Sequence, residues 1–347
     1  MITNDFLFQE YLSTNDVLLL PTQGILKSRS NATVLDTYIY SSPMDTVTGI
    51  NLSRALLKHN QAPVFCRFLS KGKKIQALEA FGKDSNFWFS VGSSLEDFDF
   101  VREYCLTNNL KINISVDVAH GDTVFLQKVY SLYSNATFCK GLMSGTIATA
   151  KSANNCIRNG CTHLRVGIGP GSACSTRIVT GCGVPNLTAV YNVAQEAKSI
   201  TSNVKIIADG GISTTGDIVK YLSAGADAVM LGRLLSATTE SEGWTNTFFR
   251  KLFKKPPRKL YRGQASAEFQ LDTRGYISGA PEGVQAKKYI TPKYTFKEYY
   301  YNTSKGIASA LSYLGLQSTQ DLKPTNVQFI KITNNGLIES KPHLLNK

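Results

Sequence analysis

Several features are scarce or missing in this 347-residue sequence, and each absence excludes a class of protein. No stretch of eighteen consecutive apolar residues occurs, so no membrane-spanning helix is expected. The opening MITNDFLFQEYL lacks a basic region followed by an apolar one, which argues against a secretory signal. Only four histidines are present and no close Cys/His cluster, which argues against a zinc site.

The cysteines give no indication of disulfide bonds. The seven cysteines are odd in number and form no CxxC pair. A chain of this length with 42% hydrophobic residues can bury a full core without cross-links. We therefore expect a reduced, cytoplasmic protein.

Acidic residues are few compared with basic ones, and the formal net charge is +13. This charge predicts an anionic partner, either nucleic acid or a phosphorylated metabolite. The basic residues concentrate in 250–259 and in the tail, and they do not form a basic stripe regularly interleaved with aromatic side chains. We interpret them as solvated charge and expect no nucleic-acid partner.

The apolar residues that are present form eight short runs at a steady spacing. Six of the seven gaps between consecutive starts are 23 to 26 residues, and one gap of 42 residues separates the sixth run from the seventh. The runs lack polar alternation, which is typical of strands buried on both faces, and helix-like segments lie between them. This order predicts a single (β/α)8 barrel, with a doubly wound sheet as the alternative. The predicted strands are 38–44, 62–68, 87–92, 112–119, 137–142, 163–168, 205–210 and 228–233.

The chain continues for more than a hundred residues after the eighth strand. Residues 261–290, rich in Gly, Gln and Ser near their start, predict a mobile flap over the barrel mouth. Residues 291–347 form a C-terminal segment whose helical stretch, 296–315, is expected to close the barrel. We therefore expect the whole chain, 1–347, to form one barrel domain, with a catalytic site at its mouth.

Polar residues and glycines gather where the predicted strands end, which is where barrels carry their chemistry. DGG at 209–211 and LGR at 231–233 follow the seventh and eighth strands, the usual position of a phosphate site. Asp117 and His120 follow the fourth strand and are either an acid/base pair or residues that orient a ligand.

The long gap contains the stretch GIGPGSACSTR, residues 167–177. Its glycines are not followed at once by a helical pattern, so it is not a dinucleotide fingerprint. Cys174 is either a small buried side chain or a nucleophile, because its neighbours are polar and Arg177 lies close in sequence.

Taken together, these stretches resemble the IMP dehydrogenase and GMP reductase family over nearly the whole chain. The segments that carry the resemblance occur in family order: STNDVLLLP (13–21), SSPMDTVT (41–48), VDVAHG (116–121), RVGIGPGSACSTRIVTGCGVPNLTAV (165–190), IADGGISTTGDI (207–218), AGADAVMLG (224–232) and YRG (261–263). The cysteine-loop segment is the most specific of them.

The resemblance implies roles for individual residues. Cys174 would attack carbon 2 of a purine nucleotide while a hydride passes to or from NAD or NADP(H), and Thr176 and Glu282 would handle the proton. Ser172, Gly211, Gly232, Arg233 and Tyr261 would hold the 5′-phosphate, and Asp209 the ribose. The full substrate-binding set is Ser42, Met44, Ser172, Asp209, Gly210, Gly211, Gly232, Arg233, Tyr261, Gly263, Gln264 and Ala265.

The same resemblance places the other ligands. The nicotinamide cofactor would lie against Asp117, Ala119, Thr146 and Gly167. The backbone carbonyls of Gly169, Gly171 and Cys174 would hold a potassium ion, and the family implies a homotetramer.

Two reactions fit the resemblance, and some positions fit neither. The 68–87 segment is too short for CBS modules, and the short span from Tyr261 to Glu282 without an adjacent Arg-Tyr pair favours GMP reductase over IMP dehydrogenase. IADGGI and GLIESKPH favour the dehydrogenase. Three residues depart from the family: Arg67 instead of lysine, Gln264 instead of methionine with Ala265 after it, and Thr146 instead of asparagine. An altered purine substrate or a catalytically silent nucleotide-binding barrel therefore stays open.

Overall fold

A computed structural model describes residues 9–34, 38–245, 253, 257–286 and 289–342. Eight parallel strands form one sheet, each at a predicted position, and helices surround it, so the predicted (β/α)8 barrel is confirmed. The strands are β2 (Ile39–Ser41), β3 (Val64–Phe65), β4 (Trp88–Val91), β5 (Ile112–Val116), β6 (Cys139–Ile147), β7 (His163–Val166), β8 (Lys205–Asp209) and β9 (Ala228–Leu231).

The sheet closes on itself between its first and second strands. Its hydrogen-bonded order runs β2-β9-β8-β7-β6-β5-β4-β3. A parallel bridge between Tyr40 and Ala62 joins the two ends, with Ser41 N–H donating to the Ala62 carbonyl at 3.0 Å. Because all strands point the same way, every strand-end residue of the predicted site lies at one mouth.

Side chains fill the inside of the barrel, as the apolar runs require. Tyr40, Trp88, Met143 and Met230 are buried and pack together there. His163 joins them, its ring centroid 4.5 Å from that of Trp88, and burial lowers its pKa to about 3. The barrel is therefore a packed core with its opening at the strand ends.

Short polar residues start the outer helices directly after the strands. In five helices a serine or threonine at the N-cap accepts a hydrogen bond from the third helical N–H, the usual way of satisfying a free helix start. These caps are Ser70, Ser94, Thr123, Thr149 and Thr214. The helices of the barrel wall are α1 (Ile50–Lys58), α2 (Lys71–Phe81), α3 (Leu95–Thr107), α4 (Val124–Ser134), α5 (Ala150–Arg158), α6 (Thr176–Thr180), α7 (Asn186–Ile200), α8 (Thr215–Ser223) and α9 (Arg233–Ser236).

The eighth outer position is filled by a helix from the C-terminal segment. This helix, α11 (Phe296–Tyr313), packs against α8 and α1 and so covers the seam between β9 and β2. Thr295 and Glu298 form a capping box at its start. The predicted helical stretch 296–315 and its closing position are thus observed.

Two short strands and a final helix lie outside the barrel. β1 (Val17–Leu19) pairs antiparallel with β10 (Phe329–Lys331), and α12 (Asn334–Glu339) follows. Within the described ranges, no helix combines the length and apolarity needed to cross a membrane. All seven cysteines are free, and most of the basic run 250–259 lies outside the described residues.

The flap enters between α9 and α11 and contains one helix, α10 (Ala267–Arg274). At its base, the fully buried Lys259 donates from Nζ to the carbonyls of Thr238 and Ser241, both at 2.6 Å. Arg262 is ion-paired with Asp45 at 2.8 Å, which fixes the flap to the end of β2. These buried contacts fix where the flap leaves the barrel wall.

Candidate active site

The barrel mouth holds a cavity of about 660 Å³ that the flap roofs over, within the usual size of ligand pockets. The structure brings all but two of the predicted site residues to its wall; the exceptions are His120 and Gly169. The predicted residues on the wall are Ser42, Met44, Asp117, Ala119, Thr146, Gly167, Gly171, Ser172, Cys174, Thr176, Asp209, Gly210, Gly211, Gly232, Arg233, Tyr261, Gly263, Gln264, Ala265 and Glu282.

The cysteine loop is a tight turn held from behind by an arginine. Cys174 N–H donates to the Gly171 carbonyl at 3.0 Å. Arg177 donates to the carbonyls of Ile168 and Val184, one at each end of the loop. Gly169 has a φ of +84°, and a Cβ there would lie 2.6 Å from the Arg177 side chain, so this position requires glycine.

Helix α6 begins two residues after Cys174, closer than the sequence pattern predicted. The pattern hid it because the helix has only five residues and none of them is buried. Thr176 is its first residue, two positions after Cys174.

Three functional groups form a hydrogen-bonded chain in the cavity. Cys174 Sγ lies 3.1 Å from Thr176 Oγ1, and that hydroxyl donates to Glu282 Oε2 at 2.8 Å. The thiol and the carboxylate come from segments more than a hundred residues apart. This chain can carry a proton between the sulfur and the carboxylate.

Backbone hydrogen bonds attach the flap to the cysteine loop. Ser175 N–H donates to the Glu282 carbonyl, and Val284 N–H donates to the Ala173 carbonyl, both at 2.9 Å. A Cβ on Gly263 would lie 2.6 Å from the Ala173 carbonyl oxygen, so the flap can approach the loop only with glycine there. Cys174 and Glu282 are therefore held beside each other by backbone hydrogen bonds between the loop and the flap.

The ends of β8 and β9 form a small polar cradle with the flap base. Ser172 Oγ lies 3.1 Å from the Tyr261 hydroxyl. Gly211 has a φ of +72°, and a Cβ on Gly232 would lie 3.3 Å from the same hydroxyl. Burial raises the pKa of Tyr261, although its contact with Ser172 lowers it in part, so its hydroxyl stays a donor. With Arg233 beside it, the cradle suits a phosphate.

A buried arginine that the sequence reading missed links two of the predicted residues. Arg165 on β7 donates from Nη1 to Asp117 at 2.8 Å and from Nε to Asp209 at 2.7 Å. Burial by itself lowers the pKa of Arg165, but the charges of Asp209 and Asp117 outweigh it and raise the pKa. The signal for it was a charged residue inside the otherwise apolar run HLRVGI.

Arg67 extends this row of charges at the end of β3. Its Nε lies 3.7 Å from Asp117 Oδ2, and its guanidinium stacks 3.9 Å from the centre of the Phe68 ring. That Nε is buried and has no hydrogen-bond partner among the described residues. Arg67, Asp117, Arg165 and Asp209 therefore alternate in charge along the cavity wall.

The structure does not form the considered pair of Asp117 and His120. Asp117 is committed to Arg165 and Arg67, whereas His120 is exposed and does not line the cavity. On the flap, Arg274 reaches the cavity wall, while Tyr276 is 63% exposed and does not. The two side chains of the Arg-Gly-Tyr stretch therefore do not act together in this arrangement.

These features define a class: a (β/α)8 barrel with a cysteine on the loop after its sixth barrel strand and a carboxylate on a flap paired to that loop. The family model of the IMP dehydrogenase / GMP reductase domain matches residues 7–343. The chain belongs to this family.

Curated relatives agree with that membership. Inosine-5′-monophosphate dehydrogenase of Thermoplasma acidophilum is 37% identical over 271 residues, 75% of this chain and 53% of the relative. The enzyme of the same name from Halalkalibacterium halodurans is 39% identical over 244 residues, 66% of this chain and 47% of the relative. That from Borreliella burgdorferi is 36% identical over 272 residues, 75% and 65% of the two chains. The chain thus spans about half the length of the first two of these relatives.

Proposed function

We propose that this protein is a purine nucleotide oxidoreductase that converts IMP, NAD and water into XMP and NADH through a covalent bond at Cys174. The observation that carries the proposal is the chain from Cys174 through Thr176 to Glu282 inside the nucleotide-sized cavity. The relatives named inosine-5′-monophosphate dehydrogenase support this direction of reaction.

In the first half of the reaction, Glu282 is the base and reaches the thiol of Cys174 through Thr176. The thiol of Cys174 gives its proton to Thr176, which passes its own proton to Glu282. The sulfur then bonds to carbon 2 of the purine, and the hydride on that carbon leaves with its electron pair. A bound nicotinamide supplies the acceptor for that hydride.

The second half uses the same groups on water. After Glu282 has released its proton to solvent, Thr176 takes a proton from a water that adds to carbon 2, and Glu282 accepts the proton of Thr176 in turn. The carbon–sulfur bond then breaks as carbon 2 becomes a carbonyl and the proton of its hydroxyl passes to N3, which frees XMP. The departing sulfur takes back the proton held by Glu282 through Thr176, so Cys174 is again a thiol. Because the flap carries Glu282, its pairing with the cysteine loop places the carboxylate beside the carbon that Cys174 attacks.

The remaining wall residues orient the nucleotide. The cradle of Ser172, Gly211, Gly232, Arg233 and Tyr261 would hold the 5′-phosphate at the ends of β8 and β9. Asp209 would accept from the ribose hydroxyls, with Arg165 fixing the direction of its carboxylate. Both contacts would hold the purine ring against Cys174.

The residues present fit a nicotinamide cofactor. The wall beside Asp117 is polar, and the buried Nε of Arg67 lacks a hydrogen-bond partner in the described part of the chain, so it can donate to a carboxamide or ribose oxygen. Asp117, Ala119, Thr146 and Gly167 would hold this ligand. Potassium at the carbonyls of Gly169, Gly171 and Cys174 stays a prediction, as do the homotetramer and the cytoplasmic location.

GMP reductase is the second candidate, in which GMP and NADPH give IMP, ammonia and NADP. The sequence features described above favour GMP reductase over IMP dehydrogenase, but the named relatives do not support that preference. The short span from Tyr261 to Glu282, in which Arg274 and Tyr276 are separated, is the observation that favours it. An altered purine or a silent nucleotide-binding barrel would appear as turnover of neither nucleotide.

One assay separates these candidates. The purified protein is given IMP with NAD, and separately GMP with NADPH, while the absorbance of the reduced cofactor is followed. A rise with the first pair supports the proposal, a fall with the second pair supports GMP reductase, and no change with either refutes both. Cys174→Ala should abolish turnover while nucleotide binding persists, and activity that survives this change would refute the covalent route.

A further inference from the structure

The amide of Gln264 is held in one orientation at the cavity wall. Its Nε2 donates to the carbonyl oxygen of Pro43 and lies 3.7 Å from Cys66 Sγ. A carbonyl oxygen can only accept, so the amide end beside Pro43 must be the NH₂ group. The oxygen, Oε1, therefore points away from Pro43, and no donor among the described residues lies within hydrogen-bond distance of it.

A second glutamine on the same wall, Gln270, has a hydrogen-bond partner at each end of its amide. Gln270 Oε1 accepts from Ser278 N–H at 2.8 Å, and its Nε2 donates to the Ala265 carbonyl at 3.4 Å. Both of its ends are used inside the flap. Gln264, in contrast, lines the cavity and keeps one acceptor that a group inside the cavity can use.

Gln264 lies in the part of the flap that is hydrogen-bonded, through Val284, to the cysteine loop. It follows Gly263, whose N–H donates to Val284 at 3.1 Å, and Val284 N–H in turn donates to Ala173, the residue before Cys174. If Cys174 bonds to carbon 2 of a purine, the ring atoms beside that carbon are N1 and N3. N1 carries a hydrogen in a 6-oxopurine and carries none in a 6-aminopurine or an unsubstituted purine.

We propose that Gln264 Oε1 accepts a hydrogen bond from N1–H of a 6-oxopurine and makes Gln264 a specificity-determining residue of this site. A base without hydrogen on N1 would set its nitrogen lone pair against the amide oxygen and leave both without a donor. The inference rests on the proposed function, since it takes carbon 2 as the point of attack.

Calorimetric binding without cofactor tests this assignment. IMP is compared with purine riboside 5′-monophosphate, which has no hydrogen on N1, in the wild-type protein and in Gln264→Leu. The preference for IMP should fall about tenfold in the variant, the value of one hydrogen bond to a neutral partner. The 6-oxygen also differs between the ligands, but it does so equally for both proteins and cancels in the comparison.

Two further variants keep the test decisive. Gln264→Met, of similar length and also without an acceptor, should lose the preference in the same way if the leucine variant does not fold. Gln270→Leu is the matched control, because its oxygen is already occupied by Ser278; it should weaken both ligands and keep their ratio.

An unchanged ratio in both Gln264 variants, or an equal loss of ratio in Gln270→Leu, would overturn the assignment. Failure of the proposed reaction gives a different pattern, in which turnover is absent while the binding preference and its loss in Gln264→Leu remain.

Discussion

Replacing Arg165 with methionine should destabilise the protein severely. The arginine is 8% exposed and donates to Asp117 and Asp209 at 2.8 and 2.7 Å. Methionine fills a similar volume but leaves two carboxylates close together without their shared cation. Removing one partner of a buried ion pair costs about 3–5 kcal/mol. We expect the free energy of unfolding to fall by about 4 kcal/mol, a large share of the ~5–15 kcal/mol typical of a domain.

Urea denaturation at pH 7.5 and pH 5.5 checks this value and its cause. In the variant, the unpaired carboxylates take up protons more readily in the folded chain than in the unfolded chain. Lowering the pH should therefore narrow the difference from wild type. Adding Asp117→Asn and Asp209→Asn to the variant should recover more than half of the loss, because both buried carboxylates are then neutral and only the partly exposed Arg67 loses a partner. A loss below about 1 kcal/mol, or a difference that widens at pH 5.5, would refute the reasoning.

Three further predictions follow from single contacts. Glu282→Gln cannot take the proton from Thr176, so turnover should fall about 100-fold or more while nucleotide affinity persists; steady-state kinetics and calorimetry check this, and unchanged turnover would exclude Glu282 as the base. Gly263→Ala places a Cβ 2.6 Å from the Ala173 carbonyl, which should shift the flap and lower turnover about 100-fold with only a small change in Tm; full activity would show that the flap tolerates the shift. His163 has a pKa lowered by burial to about 3, below the ordinary 6.5, so the unfolded chain binds the proton first and stability is lost as the pH falls below 6.5. The free energy of unfolding should fall by about 2 kcal/mol between pH 7 and pH 5 because of this group. Urea denaturation at both pH values should show this loss in the wild type and not in His163→Phe. An equal fall in both proteins would contradict the prediction.

The barrel could be predicted because each strand is buried on both faces. Runs such as KIIADG and AVMLGR are continuous, apolar and evenly spaced, and only a parallel sheet covered by helices requires that pattern. The site residues could be predicted to the extent that parallel strands end at one mouth. Their motifs supplied the proposed roles.

The contacts that the sequence did not reveal are long-range pairings and one buried charge. The bridge between Cys174 and Gly283 joins residues whose local patterns carry no trace of each other, and the same holds for β1 with β10. Arg165 sits in a run that reads as an ordinary strand, and only its two distant carboxylates explain why a cation is buried there.

The two ends of the flap tip meet beside the cysteine loop, since Glu282 N–H donates to the Ala265 carbonyl at 3.1 Å. The tip between these residues can therefore change in length without changing the position of the carboxylate. A tip taken from another protein would join the rest of the flap at this one pair of neighbouring residues. Chains with this arrangement can thus differ in the length of the flap tip by insertion and deletion alone, while Cys174, Thr176 and Glu282 keep their positions.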